Sequence, residues 1–242
     1  MTYVFGIPSY QRADSITTVK LLKDYGYSSD RIIVSTQTED DYNRYRDALK
    51  DSARIIYKEG NCVSDNRNNI LDSLTRGSKL VMLDDDLKAI CRLSQDGKKM
   101  IPFSGEELDA FIKKAFDYIK RHRALVWTGY PVENAYFMSH TVTDKTFGVA
   151  CVMGIVVSEY RFNPEYTIKE DYDFCLQTIK NGLNCVRFNY IHALGRHKTK
   201  GGCSDFWSTD DACTKRLLLN YSRYIRAGAK NNSVLMRKEW TR

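Results

Sequence analysis

Between residues 3 and 86 the chain alternates short apolar runs with amphipathic or charged stretches, and this period constrains the fold more than any other feature. TYVFGIP, RIIVST, ARIIYK and KLVMLD are rich in β-branched and aromatic residues and read as strands. Between them, Asp14 is a candidate cap for a helix ending near Tyr25 and Gly26. Thr38 or Glu39 opens a charged helix running to about Lys50, and residues 64 to 76 supply a third. A βαβαβαβ series needs long crossovers, so it predicts a mostly parallel sheet with helices on both faces. In such sheets ligands bind outside the carboxyl ends of the strands. Pro8-Ser9-Tyr10, Thr36-Gln37-Thr38 and Asp84 to Asp86 all fall at those ends, so three loops converge on one crevice.

After Asp86 the pattern changes. AICRL and KKMIPF predict a short antiparallel pair, and GEELDAFIKKAFDYIKRH is an amphipathic helix with Ser104 as its cap. ALVWTGY and FGVACVMGIVV read as strands, Lys169 to Asn181 as a helix stopped by Gly182, and CVRFNYI as one further strand. DDACTKRLLLNYSRYI continues as helix. The expected class is α/β: a single domain built on a Rossmann-like, mixed but mostly parallel sheet flanked by helices, with a helical C-terminal region. Within it, residues 1 to 202 form the core, divided near residue 93 into a nucleotide half and an acceptor half. Residues 203 to 242 form a basic extension packed on that core.

Hydrophobic residues at 43% and aromatic residues at 12% exclude disorder and fibrous repeats, and 242 residues suit one large domain. No apolar run approaches the roughly 18 residues that span a bilayer. MTYVFGIPSYQR lacks the basic-then-apolar order of a signal peptide, so a cytoplasmic location is expected. Seven cysteines form no C-x-x-C pair, which points to reduced core thiols. Positive charge is concentrated: residues 185 to 242 hold 12 Lys and Arg against 4 Asp and Glu, and residues 1 to 184 hold 25 against 26. Such a basic quarter suits a diphosphate, a nucleic-acid backbone or an anionic membrane surface, and an ordinary solvated helix equally.

The chemistry starts at Asp84-Asp85-Asp86, where an apolar strand runs into three carboxylates. Like charges at a strand end repel unless a cation neutralises them, and Mg²⁺ or Mn²⁺ needs only one or two carboxylates beside water and substrate phosphates. A solvated acidic turn is the plainer alternative. A second cluster, Glu170-Asp171-Tyr172-Asp173, opens a helix, where the macrodipole alone favours acids. Functionally, Asp171 or Glu170 supplies the base that takes an acceptor proton, with Asp173 orienting substrate. In the loop from His192 to Gly202, His197 ahead of His192 is a candidate metal ligand, while Lys198 and Lys200 face a leaving diphosphate. In NCVSDNRNN, Arg67 suits a carboxylate or a phosphate, against a simpler reading of Ser64 as a helix cap with solvent-facing amides. Trp127, Tyr130, Tyr136, Phe137 and Phe162 are read as core or pocket wall.

An N-terminal strand ending in IPSYQR, a TED segment after the second strand, an Arg-Asn helix before a strand ending in LDDD, and a later KEDYDF helix resemble GT-A glycosyltransferases with a DXD-type motif. The resemblance covers residues 3 to 202. It implies that Pro8, Ser9, Tyr10 and Arg12 lie on a nucleotide, with Thr38 or Glu39 near its base. Asp84 then faces ribose beside Asp85, Asp86 meets Mn²⁺ or Mg²⁺, and Asp171 is the base of an inverting displacement. The EDYDF helix and the GG-containing basic loop look most like the TET-associated glycosyltransferases of bacteriophages. Their implied role is transfer of a hexose or N-acetylhexosamine from a nucleotide-sugar, expected to be a UDP-sugar, to a hydroxymethylated pyrimidine in DNA. Rivals are a lipid or polysaccharide acceptor, a nucleotidyltransferase (whose glycine-rich loop after the first strand is missing), and a silent nucleic-acid-binding module of the same fold.

Overall fold

The computed structural model describes residues 2–149, 151–195, 206 and 208–240. The chain begins with β1 (Val4–Pro8), α1 (Thr18–Asp24), β2 (Ile32–Thr36), α2 (Glu39–Leu49), β3 (Arg54–Tyr57), α3 (Val63–Asp72) and β4 (Lys79–Leu83). It continues with β5 (Ala89–Leu93), β6 (Met100–Pro102), α4 (Gly105–Arg121), β7 (Ala124–Thr128), β8 (Val142–Thr143) and β9 (Val152–Val156). Last come α5 (Glu170–Lys180), β10 (Asn184–Phe188), β11 (Ile191–Leu194), α6 (Asp210–Asn220), β12 (Ile225–Ala227) and β13 (Val234–Met236).

Eight strands form one sheet in the order β3-β2-β1-β4-β9-β7-β10-β8. β1 pairs parallel with β2 and β4, β2 with β3, and β7 with β10, while β9 and β8 run antiparallel to their neighbours. The fold is thus the expected α/β class, a mixed and mostly parallel sheet between helices. The reversed direction of β9 has a local consequence. Running against β4 and β7, it delivers the residue before it, Cys151, to the rim where those strands end.

The central strands β1, β2, β4 and β9 bury both faces, as strands covered on both sides must, whereas the edge strand β3 leaves Arg54 and Tyr57 exposed. Phe5, Ile7, Val81, Leu83, Trp127 and Val186 pack with α1, Tyr45 of α2 and the Phe111 face of α4. On the other side Leu80, Met82, Val126, Met153 and Cys185 pack with α3, α5 and α6. Gly6 lets α3 approach β1, since a Cβ there would lie 2.7 Å from Ile70 Cγ2. The six described cysteines are unbridged, five of them buried.

Local signals place most boundaries. Thr38 accepts the Asp41 N–H to cap α2, and Ser104 with Glu107 forms a capping box on α4. Gly182, at φ +78°, follows α5. Four expectations are corrected. Helix α1 starts at Thr18 rather than beside Asp14, whose carboxylate instead meets Arg44 at 3.1 Å. The strand expected over CVRFNYI is two strands: β10 stays in the large sheet, while β11 joins β5 and β6 in a separate three-stranded sheet. The short β8 on the sheet edge has no counterpart among the strands expected from sequence. Finally, the C-terminal helix ends at Asn220 and a β12-β13 hairpin follows, because Tyr221 turns inward to donate its hydroxyl to Asp173.

Candidate functional site

Three strand ends, β1, β2 and β4, meet the start of β9 and the start of α5 on one rim. After β1, Ser9 lies buried, and its backbone N–H donates to the Ser35 carbonyl of β2. The loop after Ser9 is tied to α2: the Gln11 N–H donates to Asp41 and the Arg12 N–H to the Tyr45 hydroxyl. Gln11 sits at φ +55°, a left-handed conformation costly for a side-chain-bearing residue, held by these bonds. Pro8 is buried and Tyr10 half-buried, whereas Thr38 and Glu39 are exposed, with the Thr38 hydroxyl occupied as the α2 cap.

The three aspartates meet different fates. Asp85 is 5% exposed and accepts Arg12 Nη1 at 2.6 Å and Ser9 Oγ at 2.5 Å. Burial nevertheless raises its carboxyl from 3.8 to about 6, with Arg12 and Ser9 opposing. Its backbone carbonyl accepts the Thr17 and Thr18 N–H groups, which locks the strand end to α1. Asp84 points the other way, 3.4 Å from Arg67 Nη2. Asp86 lies 3.3 Å from Arg12 Nη1, and its Oδ1 faces Gly195, where a Cβ would stand only 3.1 Å away.

Arg67 joins the two acidic clusters. From α3 it reaches Asp84 on one side and, through Nε, Glu170 Oε1 at 3.4 Å on the other. Glu170 is 5% exposed, and burial pushes its carboxyl up to about 8, with Asp171 adding to the rise and Arg67 opposing it. Asp171 is half-buried beside it, one oxygen accepting the Tyr172 N–H. Lys169, at φ +64° and paired with Asp210, sets the direction in which these two acids leave the helix start. Both Asp84 and Asp171 act electrostatically on the Cys151 thiol, which burial and these charges push up to about 12. Arg67, within 3.4 Å of both Asp84 and Glu170, thus joins the strand-end and helix-start carboxylates.

Other groups lie elsewhere. Asp173 is 2% exposed and accepts from the Tyr221 hydroxyl and Gln177 Nε2 at 2.7 Å each, which ties α5 to the end of α6. His192 is buried in β11, its Nδ1 2.7 Å from the Tyr130 carbonyl and its Nε2 without a partner among the described residues. His197, Lys198 and Lys200 lie outside the described residues. A cavity of about 690 Å³ opens along α5 between Arg161, Gln177 and Tyr221, away from the aspartate rim.

The asparagines of NCVSDNRNN also differ from expectation. Asn61 is exposed, but the three within α3 are internal clamps rather than solvent-facing amides: Asn66 donates to the Ser9 carbonyl, Asn69 to Ser35 Oγ, and Asn68 exchanges two bonds with Phe162. Ser64 bonds the carbonyls of Asn163 and Tyr166 and is not a cap. The density of Asn beside Arg67 was the available signal. Arg187 and Tyr130 carried none: Arg187 of β10 stacks 5.5 Å over the Tyr130 ring, its guanidinium lowered by burial.

For Mg²⁺ or Mn²⁺, no group of three His, Cys, Asp or Glu side chains converges among the described residues. The rim does suit an ion that shares one carboxylate with diphosphate and water, since the glycine at 195 leaves Asp86 Oδ1 uncrowded.

Fold and rim together define an α/β protein with a charged site at its strand ends. Residues 2–202 match the family model of the TET-associated glycosyltransferases, and the chain belongs to that family. Glycosyl transfer is the reaction class that this membership carries. Comparison with curated proteins finds no match. Among solved structures, a cytidylyltransferase from Leptospira borgpetersenii serovar Hardjo-bovis aligns at 15% identity and a TM-score of 0.38. That alignment covers 65% of this chain and 61% of the cytidylyltransferase. The protein A197 from STIV aligns at 12% identity and a TM-score of 0.41, covering 82% of this chain and 87% of its own. At these scores neither likeness bears on chemistry. No helix among the described residues is long and apolar enough to cross a membrane.

Proposed function

We propose that the protein moves a sugar from a nucleotide-sugar, a UDP-sugar in the first instance, to the hydroxyl of a 5-hydroxymethylpyrimidine base in DNA. Family membership supports the reaction class, and the Arg67 bridge that draws the strand-end Asp84 to the start of the helix carrying Glu170 and Asp171 is the observation that carries the assignment of roles. Asp171 takes the hydroxymethyl proton as the oxygen attacks the anomeric carbon. The bond from that carbon to the diphosphate oxygen breaks on the opposite face, its electron pair leaves with the nucleoside diphosphate, and the anomeric configuration inverts. Asp171, half-buried at the rim, suits this better than Glu170, which is buried against Arg67 with its carboxyl raised by that burial.

The donor lies along Ser9 to Arg12, with Asp84 toward the ribose and Thr38 and Glu39 at the outer edge near the base. Asp85 positions that loop through Arg12 rather than touching the donor. Asp86 is the residue that would hold Mn²⁺ or Mg²⁺, whose charge would neutralise the leaving diphosphate. His197, Lys198 and Lys200, in the segment that begins just after Gly195, are assigned to the same diphosphate.

The test is mass spectrometry of duplexes containing 5-hydroxymethylcytosine or 5-hydroxymethyluracil, incubated with the protein, Mn²⁺ or Mg²⁺ and a panel of UDP-sugars, with a chelator control. A hexose- or N-acetylhexosamine-sized gain that disappears with chelator supports the proposal. Metal-dependent hydrolysis of the UDP-sugar with unmodified DNA overturns the acceptor assignment.

A further inference from the structure

Between Tyr130 and Met138 the chain leaves the carboxyl end of β7 and returns, and its tip carries Tyr136, 85% exposed, and Phe137, 57% exposed. Tyr136 is the most exposed large hydrophobic side chain among the described residues. Single exposed rings are ordinary on protein surfaces. What sets this pair apart is how rigidly it is presented. Asn134 Oδ1 accepts the Tyr136 N–H at 3.0 Å, and the Phe137 and Met138 N–H groups close a tight turn on the carbonyls of Asn134 and Ala135. Met138, 7% exposed, anchors the returning limb, and the Ser139 N–H donates to Asn189. The outgoing limb is pinned by the Tyr130 N–H to Ile191 and by His192 on the Tyr130 carbonyl. The two rings stand edge to face, centroids 5.1 Å apart at 85°. One ring alone can therefore lie parallel to a base pair, with the other bracing it.

We propose that Tyr136, braced by Phe137, is a wedge that enters the base stack of duplex DNA at the step vacated by the target nucleotide. This rests on the proposed DNA acceptor. A hydroxymethyl group inside a duplex cannot reach Asp171 until its nucleotide is extruded, and extrusion leaves an unstacked gap. An aromatic ring inserted there replaces the lost stacking, as side chains of kinking proteins do. The tip is six residues beyond Tyr130, at most about 20 Å of chain, so it is tethered to the rim where the extruded base is received. Neighbouring Asn134, Ser139 and Thr141 are exposed and offer uncharged groups to sugar and phosphate oxygens. Residues 130 to 141 hold Glu133 and no Lys or Arg, so the loop offers no cation to phosphate or to an anionic membrane; it is the short tether to the rim that favours the base stack over a lipid surface.

The test uses a duplex carrying 2-aminopurine beside one 5-hydroxymethylpyrimidine. Binding of the wild-type chain raises the 2-aminopurine fluorescence as the neighbouring base unstacks. Tyr136→Ala reduces the extruded population by roughly five- to 150-fold, the loss of one stacking contact, and Tyr136→Phe restores it. In the transfer assay the ratio of duplex to single-strand product falls by the same factor in Tyr136→Ala. Equal fluorescence rises in wild type and Tyr136→Ala overturn the wedge, as does a wild type that modifies duplex DNA with no rise. Loss of binding to phosphatidylserine vesicles in Tyr136→Ala with an unchanged DNA response overturns it in favour of a lipid surface. A rise that depends on Tyr136 without any sugar transfer supports the wedge and refutes the proposed transfer from a UDP-sugar, so the two failures are distinguishable.

Discussion

Replacing Asp85 by Asn should change how stability depends on pH by a predictable amount. Burial lifts the Asp85 carboxyl from 3.8 to about 6 even with Arg12 and Ser9 bonded to it. A folded pKa above the unfolded one means that the native state binds the proton more tightly. The contribution is therefore fully present below the unfolded value and is lost as pH rises through the folded value. With those two values the whole loss is about 3 kcal/mol, of which about 1.6 has occurred by about pH 5 and a further 1.4 or so develops between about pH 5 and about pH 8. Asparagine keeps an oxygen that can accept from Arg12 or Ser9 and has nothing to titrate. Wild-type stability minus variant stability should thus fall by about 1.4 kcal/mol across that window. Urea unfolding in chelator-containing buffer, followed by tryptophan fluorescence, measures it directly. A difference that stays flat from acid to alkaline pH would refute the reasoning, and one that grows with pH would mean that Arg12 overrides burial.

Three further expectations test separate parts of the molecule. Gly154→Ala puts a Cβ 1.9 Å from the buried Trp127 Nε1, in the strand between β4 and β7; a loss of about 1 to 3 kcal/mol and a lower melting temperature are expected, and an unchanged melting temperature counts against this packing. Arg67→Met strips the cation from between Asp84 and Glu170; because Arg67 opposes the rise in the Glu170 carboxyl, the destabilisation of about 3 to 5 kcal/mol should be largest on the alkaline side and shrink in mild acid. Asp171→Asn should retain donor binding by calorimetry and lose about 10²- to 10⁴-fold in turnover, whereas Asp86→Asn should lose metal-dependent donor binding; equal loss of donor binding in both would sink the division of roles.

What was legible in the sequence was local. The β-α alternation, the Thr38 cap, the Ser104 capping box and the Gly182 stop are each encoded within a few residues, and the structure has them there. The break after Phe188 was hidden because Val186 to Tyr190 keeps one uninterrupted apolar-polar alternation. Its division depends on β5 offering Cys91 and Arg92 to His192 and Ile191, about a hundred residues away in sequence. The buried amides of α3 were hidden for the same reason, since their acceptors sit on β1, β2 and the loop before α5. Polar residues on a helix read as solvent-facing until the partner that takes them inside is known.

The aspartate triplet shows most clearly what pattern alone misses. Three like charges in sequence invite one shared cation, but side chains at a strand end still alternate between the two faces of the sheet. Leu83 packs on the α1 and α4 face, so Asp84 turns to the α3 and α5 face, where Arg67 receives it, and Asp85 returns to the first face, where Arg12 receives it. Alternation thus separates the charges that adjacency brought together, and arginines from two different helix-side segments neutralise them. Asp86 is left at the mouth, sharing Arg12 at the longer distance of 3.3 Å and bordered by a glycine. A single such carboxylate is as much as Mg²⁺ or Mn²⁺ asks of a protein when a diphosphate supplies the remaining oxygens. In packing terms the triplet is thus two acids drawn to opposite faces by arginines, with a third left at the mouth between them.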